Sequence, residues 1–297
     1  MNDPLLRNAL AEVQTDVDSR FDSLLPVPDD ARARLYQAMR HAAIGGGKRL
    51  RPLLVHATAR LFDVSREAAG RVAVALEAIH VYSLIHDDLP AMDDDDLRHG
   101  KATVHKAYDE ATAVLAGDCL HALAFEVLAD PATHPDPFVR AELVADLARA
   151  SGPAGMAGGQ AMDLAADGGS FDLGTVTRLQ QMKTGALIAA AVEAGAILGR
   201  VAEDGRRSLR GYAHDLGLAF QIVDDLMDVE GDEELAGKKL RKDGEQGKET
   251  FVSLLGIERA RAQSRLLVDQ AIDHLRHYGR EADLLRAIAR YVIERDR

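Results

Sequence analysis

The sequence predicts an all-α protein that forms one domain over residues 1–297. Aromatic residues make up only 4% of the chain, and no run of alternating β-branched residues marks a strand. Ala, Leu, Glu and Arg instead recur at helical spacing over long windows, as at Val72, Ala75, Leu76 and Ile79. With 47% hydrophobic residues, the chain can also bury a large core.

Segments rich in glycine and proline separate the predicted helices. In chain order, these breaks are residues 24–30, 44–48, 130–137, 151–159, 167–170 and 203–205. The intervals between them predict about ten helices, many of them apolar on most faces and therefore interior. None of the breaks resembles an interdomain linker, which is why we expect a single domain.

Composition and charge limit the classes of function. The formal net charge of −12 argues against a general nucleic-acid binder, but bound divalent cations would still permit a phosphorylated small substrate. The single cysteine, Cys119, excludes an internal disulfide and is typical of a reducing compartment. No secretory signal is visible, and the most apolar window, residues 185–199, is too short to span a bilayer. We therefore expect a cytoplasmic protein without a membrane span.

The most acidic part of the chain directly follows an apolar stretch. In "IHDDLPAMDDDDLR", Asp87 and Asp88 end this stretch, and Asp93 comes after Pro90. Because Pro90 cannot continue regular helix hydrogen bonding, we expect the helix to end or kink at Asp87 and Asp88. Taken alone, the run is more typical of a solvated loop than of a site.

A second aspartate cluster occurs in "FQIVDDLMD", again after an apolar stretch. Asp224 and Asp228 are predicted to share one helix face, about one turn apart, while Asp225 points elsewhere. Like charges at this spacing destabilise a helix unless a cation lies between them, and Mg²⁺ binds one or two carboxylates together with water and substrate phosphates. A solvated acidic helix end would explain this cluster alone. Two such clusters predict one cavity that holds several Mg²⁺ ions.

Basic segments offer partners for an anionic substrate. "GGGKRLRP" places Lys48 and Arg51 on one helix face after glycines that allow close backbone approach, although it lacks the spacing of a Walker A loop. Arg98, Lys183 in "KTG" and the segment 237–250 are further candidates. Taken singly, each is also explained by a solvated surface.

Taken in order, "GGGKRLRP", "HDDLPAMDDDDLR", "KTG", "FQIVDDLMD" and "GKET" resemble the short-chain trans-polyprenyl diphosphate synthases, in particular the bacterial farnesyl diphosphate synthases. The resemblance covers nearly the whole chain. It implies a helical bundle of the isoprenoid synthase type around a deep central cavity, usually as a homodimer. It also implies head-to-tail (1′-4) condensation of isopentenyl diphosphate with dimethylallyl or geranyl diphosphate, giving C15 farnesyl diphosphate.

By the same resemblance, particular residues take particular roles. About three Mg²⁺ ions are implied at the metal-site residues Asp87, Asp88, Asp93, Asp224, Asp228 and Asp243, with Asp94 in support. Isopentenyl diphosphate is held by Lys48, Arg51 and His80, and the allylic diphosphate by Arg98, Lys183 and Lys238, with Lys248 near both diphosphates. Thr184 and Gln221 lie beside the developing carbocation.

Two positions near the first cluster bear on specificity. Tyr82 lies five residues before Asp87, where an aromatic side chain forms the floor of the product pocket and, with the inserted Pro90 and Ala91, goes with a C15 product in the family. Packing in the core is the alternative role for Tyr82. His99 stands where the family usually has the second arginine of Arg-Arg-Gly, which helps to bind isopentenyl diphosphate.

Other functions remain open at this stage. A geranylgeranyl or geranyl diphosphate synthase differs only in pocket depth. A non-catalytic regulatory subunit of a prenyltransferase is expected to lack some aspartates, and all are present here. A class I terpene cyclase needs no second diphosphate site, so Lys48, Arg51 and the second cluster argue against it. A Ca²⁺-binding module is disfavoured because no "DxDxDG" loop occurs.

Overall fold

The computed structural model describes residues 3–166, 171–230 and 249–294. Within these residues it is all-α, which confirms the predicted fold class. The helices are α1 (Pro4–Leu24), α2 (Ala33–Ala43), α3 (Leu50–Arg60), α4 (Arg66–Asp87), α5 (Val104–Ala107), α6 (Glu110–Ala129), α7 (Pro137–Ser151), α8 (Met156–Ala165), α9 (Leu173–Gln180), α10 (Ala186–Leu198), α11 (Arg207–Glu230), α12 (Phe251–Leu255), α13 (Ile257–His274) and α14 (Asp283–Glu294).

The described residues contain fourteen α-helices, and short elements account for part of the difference from the predicted number of about ten. α5 and α12 are single turns, and a π-helical turn (Gln181–Gly185) lies between α9 and α10. The 3₁₀ turns are Glu203–Arg206 and Arg280–Ala282. An antiparallel hairpin of β1 (Leu97–Arg98) and β2 (Lys101–Ala102) was not predicted, because each strand has only two residues.

The predicted breaks within the described residues coincide with helix ends, with one exception, whereas the break at residues 167–170 lies outside the described residues. Residues 151–159 were expected to be a loop, but α8 begins at Met156 and includes Gly158 and Gly159. Glycine is required here by packing rather than by a turn: a Cβ on Gly159 would lie 2.2 Å from the Lys183 backbone nitrogen. The glycines therefore allow α8 to pack directly on the π-helical turn.

The core surrounds α4, which presents buried residues on most of its faces. Ser65 caps its N-terminus by accepting from the Ala68 N–H. α4 packs against α3, α6 and α10, and its C-terminal end carries the first aspartate cluster. A rigid, buried helix therefore positions these carboxylates.

In the described part of the chain, two helices are long and apolar enough to cross a membrane by length and composition alone. They are α4 and α6, and core helices of globular proteins meet the same criterion. The most apolar window of α4 is 67% buried within the protein, whereas that of α6 is only 39% buried. α6 thus leaves an apolar face uncovered, with Val114 and Leu115 42% and 53% exposed.

Candidate active site

The first aspartate cluster is built by the end of α4 and the turn after it. α4 ends at Asp87, as predicted from Pro90. The chain then folds back, so that the Asp93 N–H donates to the Asp87 carbonyl at 2.8 Å and the Asp94 N–H to the Leu89 carbonyl at 3.2 Å. The inserted residues therefore form a tight turn that returns Asp93 to Asp87.

This cluster carries more negative charge than its surroundings compensate. Burial, with Asp93 and Asp88 nearby, raises the pKa of Asp87 to about 6, although Lys183 and Arg98 oppose the shift. Burial likewise raises the pKa of Asp88. A cation close to these oxygens would favour their charged forms, which is the environment that a Mg²⁺ site requires.

Arg98 is directed onto the cluster by the β1–β2 hairpin. Its Nε donates to Asp88 Oδ1 at 2.9 Å, and its Nη2 donates to Asp95 Oδ2 at 3.1 Å and also contacts Asp88. Arg98, the predicted diphosphate ligand, and Asp88, a predicted metal-site residue, are thus paired with each other. A bound diphosphate would compete with these carboxylates for the guanidinium.

Lys183 projects towards the same carboxylates from the π-helical turn. Its Nζ donates to Asp163 Oδ2 on α8 at 2.7 Å, and the charges of Asp163, Asp87 and Asp93 raise its pKa against the opposing effect of burial. Sequence reasoning missed Asp163. The signal was present in "AGGQAMD", because paired glycines inside a helix indicate close backbone approach, here to Lys183 itself.

The second cluster lies on α11 and is joined to the π-helical turn by hydrogen bonds. The Thr184 hydroxyl donates to Gln221 Oε1 at 3.0 Å, and Gln221 Nε2 donates to Asp225 Oδ1 at 2.9 Å. Asp225 is buried and accepts from the Phe251 N–H at 2.9 Å, so it points away from Asp224 as predicted. Asp224 and Asp228 are one turn apart on the same continuous helix.

The basic residues lie close enough to affect one another's pKa, next to the second aspartate cluster. Burial, with Arg51, His99, Arg49 and Arg98 nearby, holds the pKa of His80 well below its usual value. Burial lowers the pKa of Arg51, while the charges of Glu77 and Asp224 oppose that shift. Arg51 therefore connects the basic residues with the second aspartate cluster.

His99 lies over the glycine segment that precedes α3. A Cβ on Gly46 would be 3.6 Å from His99 Cδ2, and one on Gly47 would be 3.5 Å from His99 Nε2. Partial burial lowers the pKa of His99, and so do Arg98, Arg49, Lys101 and Lys48 around it. Positive charge is thus concentrated where the resemblance places the second diphosphate.

Tyr82 lies on α4 one turn and a residue before Asp87 and is half-buried. Its ring packs edge-on against His121 of α6, with centroids 4.9 Å apart, and against His86 at 5.7 Å. His121 in turn contacts Phe125 at 5.1 Å. The sequence carried no signal for His121, because only the α4–α6 packing brings it to Tyr82.

Not every predicted residue can be placed. Lys238, Asp243 and Lys248 lie outside the described residues. Among residues 3–166, 171–230 and 249–294, no three His, Cys, Asp or Glu side chains converge closely enough to hold a metal on their own. This is compatible with Mg²⁺, which takes most of its ligands from water and substrate phosphates.

Comparison with known proteins identifies the family. Residues 32–290 match the polyprenyl synthetase family. The chain is 46% identical over 287 residues to the farnesyl diphosphate synthase of Escherichia coli strain K12, with 94% of each chain covered. The apo crystal structure of an FPP/GFPP synthase from Zymomonas mobilis superposes with a TM-score of 0.90 at 59% identity, covering 97% of this chain and 98% of that one.

A geranyltransferase from Helicobacter pylori, crystallised with magnesium and isoprenyl diphosphate, has a TM-score of 0.81 and 31% identity and covers 99% of this chain and 98% of its own. These similarities extend over nearly the whole chain, including both aspartate clusters and the basic segment before α3. The chain therefore belongs to the polyprenyl synthetase family.

Proposed function

We propose that this protein condenses isopentenyl diphosphate with dimethylallyl and then geranyl diphosphate to give farnesyl diphosphate and diphosphate. The observation that carries the proposal is the pairing of two charge environments. An acidic cluster in which burial raises the pKa of Asp87 and Asp88 lies beside Lys183 and Arg98, and a group of basic residues surrounds His80 and His99. The Escherichia coli relative, a farnesyl diphosphate synthase, supports this substrate class.

The acidic residues fit Mg²⁺ because they supply hard carboxylate oxygens in an environment that disfavours uncompensated charge. We assign about three Mg²⁺ ions to Asp87, Asp88, Asp93, Asp224, Asp228 and Asp243. The Helicobacter pylori relative, crystallised with magnesium, supports the choice of metal. When bound, Mg²⁺ would stabilise negative charge on the leaving diphosphate.

The protein's own side chains then act on two substrates. Arg98 and Lys183 bind the allylic diphosphate, while Lys48, Arg51, His80 and His99 hold isopentenyl diphosphate at near-attack distance. The allylic C–O bond breaks with its electron pair on the diphosphate, and the alkene of isopentenyl diphosphate forms the new C–C bond. The departing diphosphate takes the proton that is lost.

Thr184 and Gln221 stabilise the cationic intermediate in this proposal. The hydrogen bond between them fixes both side chains, and the further bond from Gln221 to Asp225 links them to a buried carboxylate. Oriented oxygen dipoles of this kind act where charge develops and need no reorganisation during the reaction.

Product analysis tests the proposed reaction. The protein is incubated with Mg²⁺, isopentenyl diphosphate and either dimethylallyl or geranyl diphosphate, and the products are separated by chain length. We expect a C15 product from both primers, and none when Mg²⁺ is chelated. Absence of product with every allylic primer would contradict the proposal and favour a regulatory subunit.

A longer-chain synthase is the second candidate. Tyr82 and His121, which would limit the length of the product, are only half-buried. The relative from Zymomonas mobilis is named for two products, FPP and GFPP. A main product longer than C15 in the same assay would favour this function.

The His99→Arg variant tests whether protonation of His99 contributes to substrate binding, because arginine stays positively charged over the whole pH range. Because burial and nearby cations lower the pKa of His99, its ring is mainly neutral at pH 7 before substrate binds. A bound diphosphate raises that pKa, so binding takes up a proton and weakens as pH rises through the pKa of the complex. Between pH 6 and about pH 8.5, KM for isopentenyl diphosphate should rise more steeply in wild type than in His99→Arg. Parallel pH profiles would contradict this role.

We further propose a cytoplasmic homodimer whose single domain covers residues 1–297. The uncovered apolar face of α6 supports the dimer, because Val114 and Leu115 lie on a helix that would otherwise expose them to water. The single cysteine, which leaves no internal disulfide framework, supports the location.

Leu115→Glu tests the dimer. Placing a charge on this face should convert the protein to monomers in analytical ultracentrifugation, because a buried, unpaired carboxylate costs several kcal/mol. Phe138→Glu is the matched control, since Phe138 is more exposed (82%) and lies on α7 instead of α6. A Leu115→Glu protein that remains dimeric would show that α6 is not the interface.

A further inference from the structure

The glycine segment before α3 enters the left-handed region of backbone conformation three times. Gly45 and Gly47 each have φ of 71°, and Arg49 has φ of 52°. Glycine adopts such angles readily, whereas a residue with a side chain does so only where tertiary contacts fix it. The side chain of Arg49 is 2% exposed, while its neighbour Lys48 is open to solvent.

The buried guanidinium of Arg49 joins three helices. Nη1 donates to Glu77 Oε1 on α4 at 2.8 Å. Nη2 donates to Asp18 Oδ1 on α1 at 2.8 Å and to the Ala43 carbonyl at the end of α2 at 2.5 Å. Asp18 Oδ1 also accepts from the Gly45 N–H at 3.2 Å. One carboxylate of α1 thus binds both ends of the segment 45–49. Asp18, Arg49 and Glu77 are called the Arg49 cluster below.

We propose that the Arg49 cluster positions Lys48 and Arg51 for the diphosphate of isopentenyl diphosphate, and that Asp18 on α1 is a positioning residue of the site. The proposal rests on the proposed function, because Lys48 and Arg51 are assigned to this substrate there. Breaking these ion pairs of Arg49 would leave a buried, unpaired charge, which is strongly destabilising. Arg49 therefore holds the backbone on both sides of it. Arg51 lies in the first turn of α3, but Lys48 directly precedes Arg49 and lies before the helix. The prediction that Lys48 and Arg51 share one helix face is therefore wrong, because the left-handed backbone of Arg49 starts the helix only at Leu50.

Within this short segment, the buried, ion-paired Arg49 differs from the two basic residues beside it, Lys48 and Arg51. The guanidinium of Arg49 is buried and ion-paired with Asp18 and Glu77, so its terminal nitrogens bind inside the protein. Glu77 also lies close enough to favour the charged form of Arg51. The cluster therefore fixes the geometry of the segment, while the neighbouring Lys48 and Arg51 are the residues assigned to the substrate.

Asp18→Ala tests the proposal, because it removes both bonds to the segment and places a good helix former in α1. We expect KM for isopentenyl diphosphate to rise about tenfold, with kcat and KM for geranyl diphosphate changed by less than about threefold. Asp22→Ala is the matched control, since Asp22 lies one turn further along α1 and pairs with Arg40. It should change none of these constants.

The outcomes are distinct. If Asp18→Ala and Asp22→Ala behave alike, or if KM rises equally for both substrates together with a lower melting temperature, Asp18 is only a structural residue and the proposal is wrong. Asp18→Asn keeps the shape of the side chain and one acceptor oxygen, so it should give a smaller rise in KM for isopentenyl diphosphate. If Asp18→Ala is poorly folded, Asp18→Asn shows whether Asp18 is a positioning residue. Lys48→Ala checks the underlying assignment: an unchanged KM there would contradict the proposed function of Lys48 instead.

Discussion

Replacing Asp87 by Asn is expected to reduce kcat by about a thousandfold, equivalent to about 4 kcal/mol of transition-state stabilisation. The amide is a weaker ligand than the carboxylate, and it cannot balance the charge of a cation bound to the leaving diphosphate. Steady-state kinetics with geranyl and isopentenyl diphosphates measure the loss. A kcat within tenfold of wild type would remove Asp87 from the metal site.

The same substitution should make the metal-free protein more stable. Because the pKa of Asp87 is about 6 in the folded protein and lower in the unfolded chain, its ionisation opposes folding once the pH exceeds the unfolded value. Without Mg²⁺, the melting temperature of Asp87→Asn should exceed that of wild type, and by more at pH 8 than at pH 5. A loss of activity that came with a lower melting temperature at both pH values would indicate simple misfolding.

Replacing Tyr82 by Ala is expected to change the main product from C15 to C20 or longer. Removing the ring leaves space between α4 and α6 beside the side chain of His121, which a longer product could occupy. Product chromatography with geranyl diphosphate as primer measures the shift. Unchanged chain length would mean that Tyr82 packs in the core without limiting the product.

Tyr82→Phe is the control for this experiment. It keeps the ring and its edge-on contacts with His121 and His86 but lacks the hydroxyl. If the ring volume sets the limit, Tyr82→Phe should still give C15. A longer product from Tyr82→Phe would instead assign the effect to the hydroxyl group.

Features set by local chemistry were predictable from the sequence. The end of α4 at Asp87 follows from Pro90, and the shared face of Asp224 and Asp228 follows from helical spacing. The all-α class also follows from periodicity along the chain. Each of these depends on residues a few positions apart, so no tertiary information was needed.

Features created by packing were not predictable in the same way. Asp163 reaches Lys183 only because α8 lies against a π-helical turn, and His121 reaches Tyr82 only across the α4–α6 contact. Arg49 looked like one more basic residue of "GGGKRLRP", yet the fold buries it between Asp18 and Glu77. Helical spacing selected Lys48 and Arg51 in this segment, but it gave no sign that Arg49 would be buried between two carboxylates.

We expect both aspartate clusters to bind the allylic diphosphate through Mg²⁺ at one site. Isothermal titration calorimetry with geranyl S-thiolodiphosphate, whose bridging sulfur suppresses ionisation, measures this binding without turnover. Wild type should bind the analogue only with Mg²⁺ present, and Asp87→Asn and Asp224→Asn should each weaken binding at least about tenfold. Wild-type affinity in either variant, or equal affinity with and without Mg²⁺, would contradict a site shared by the two clusters.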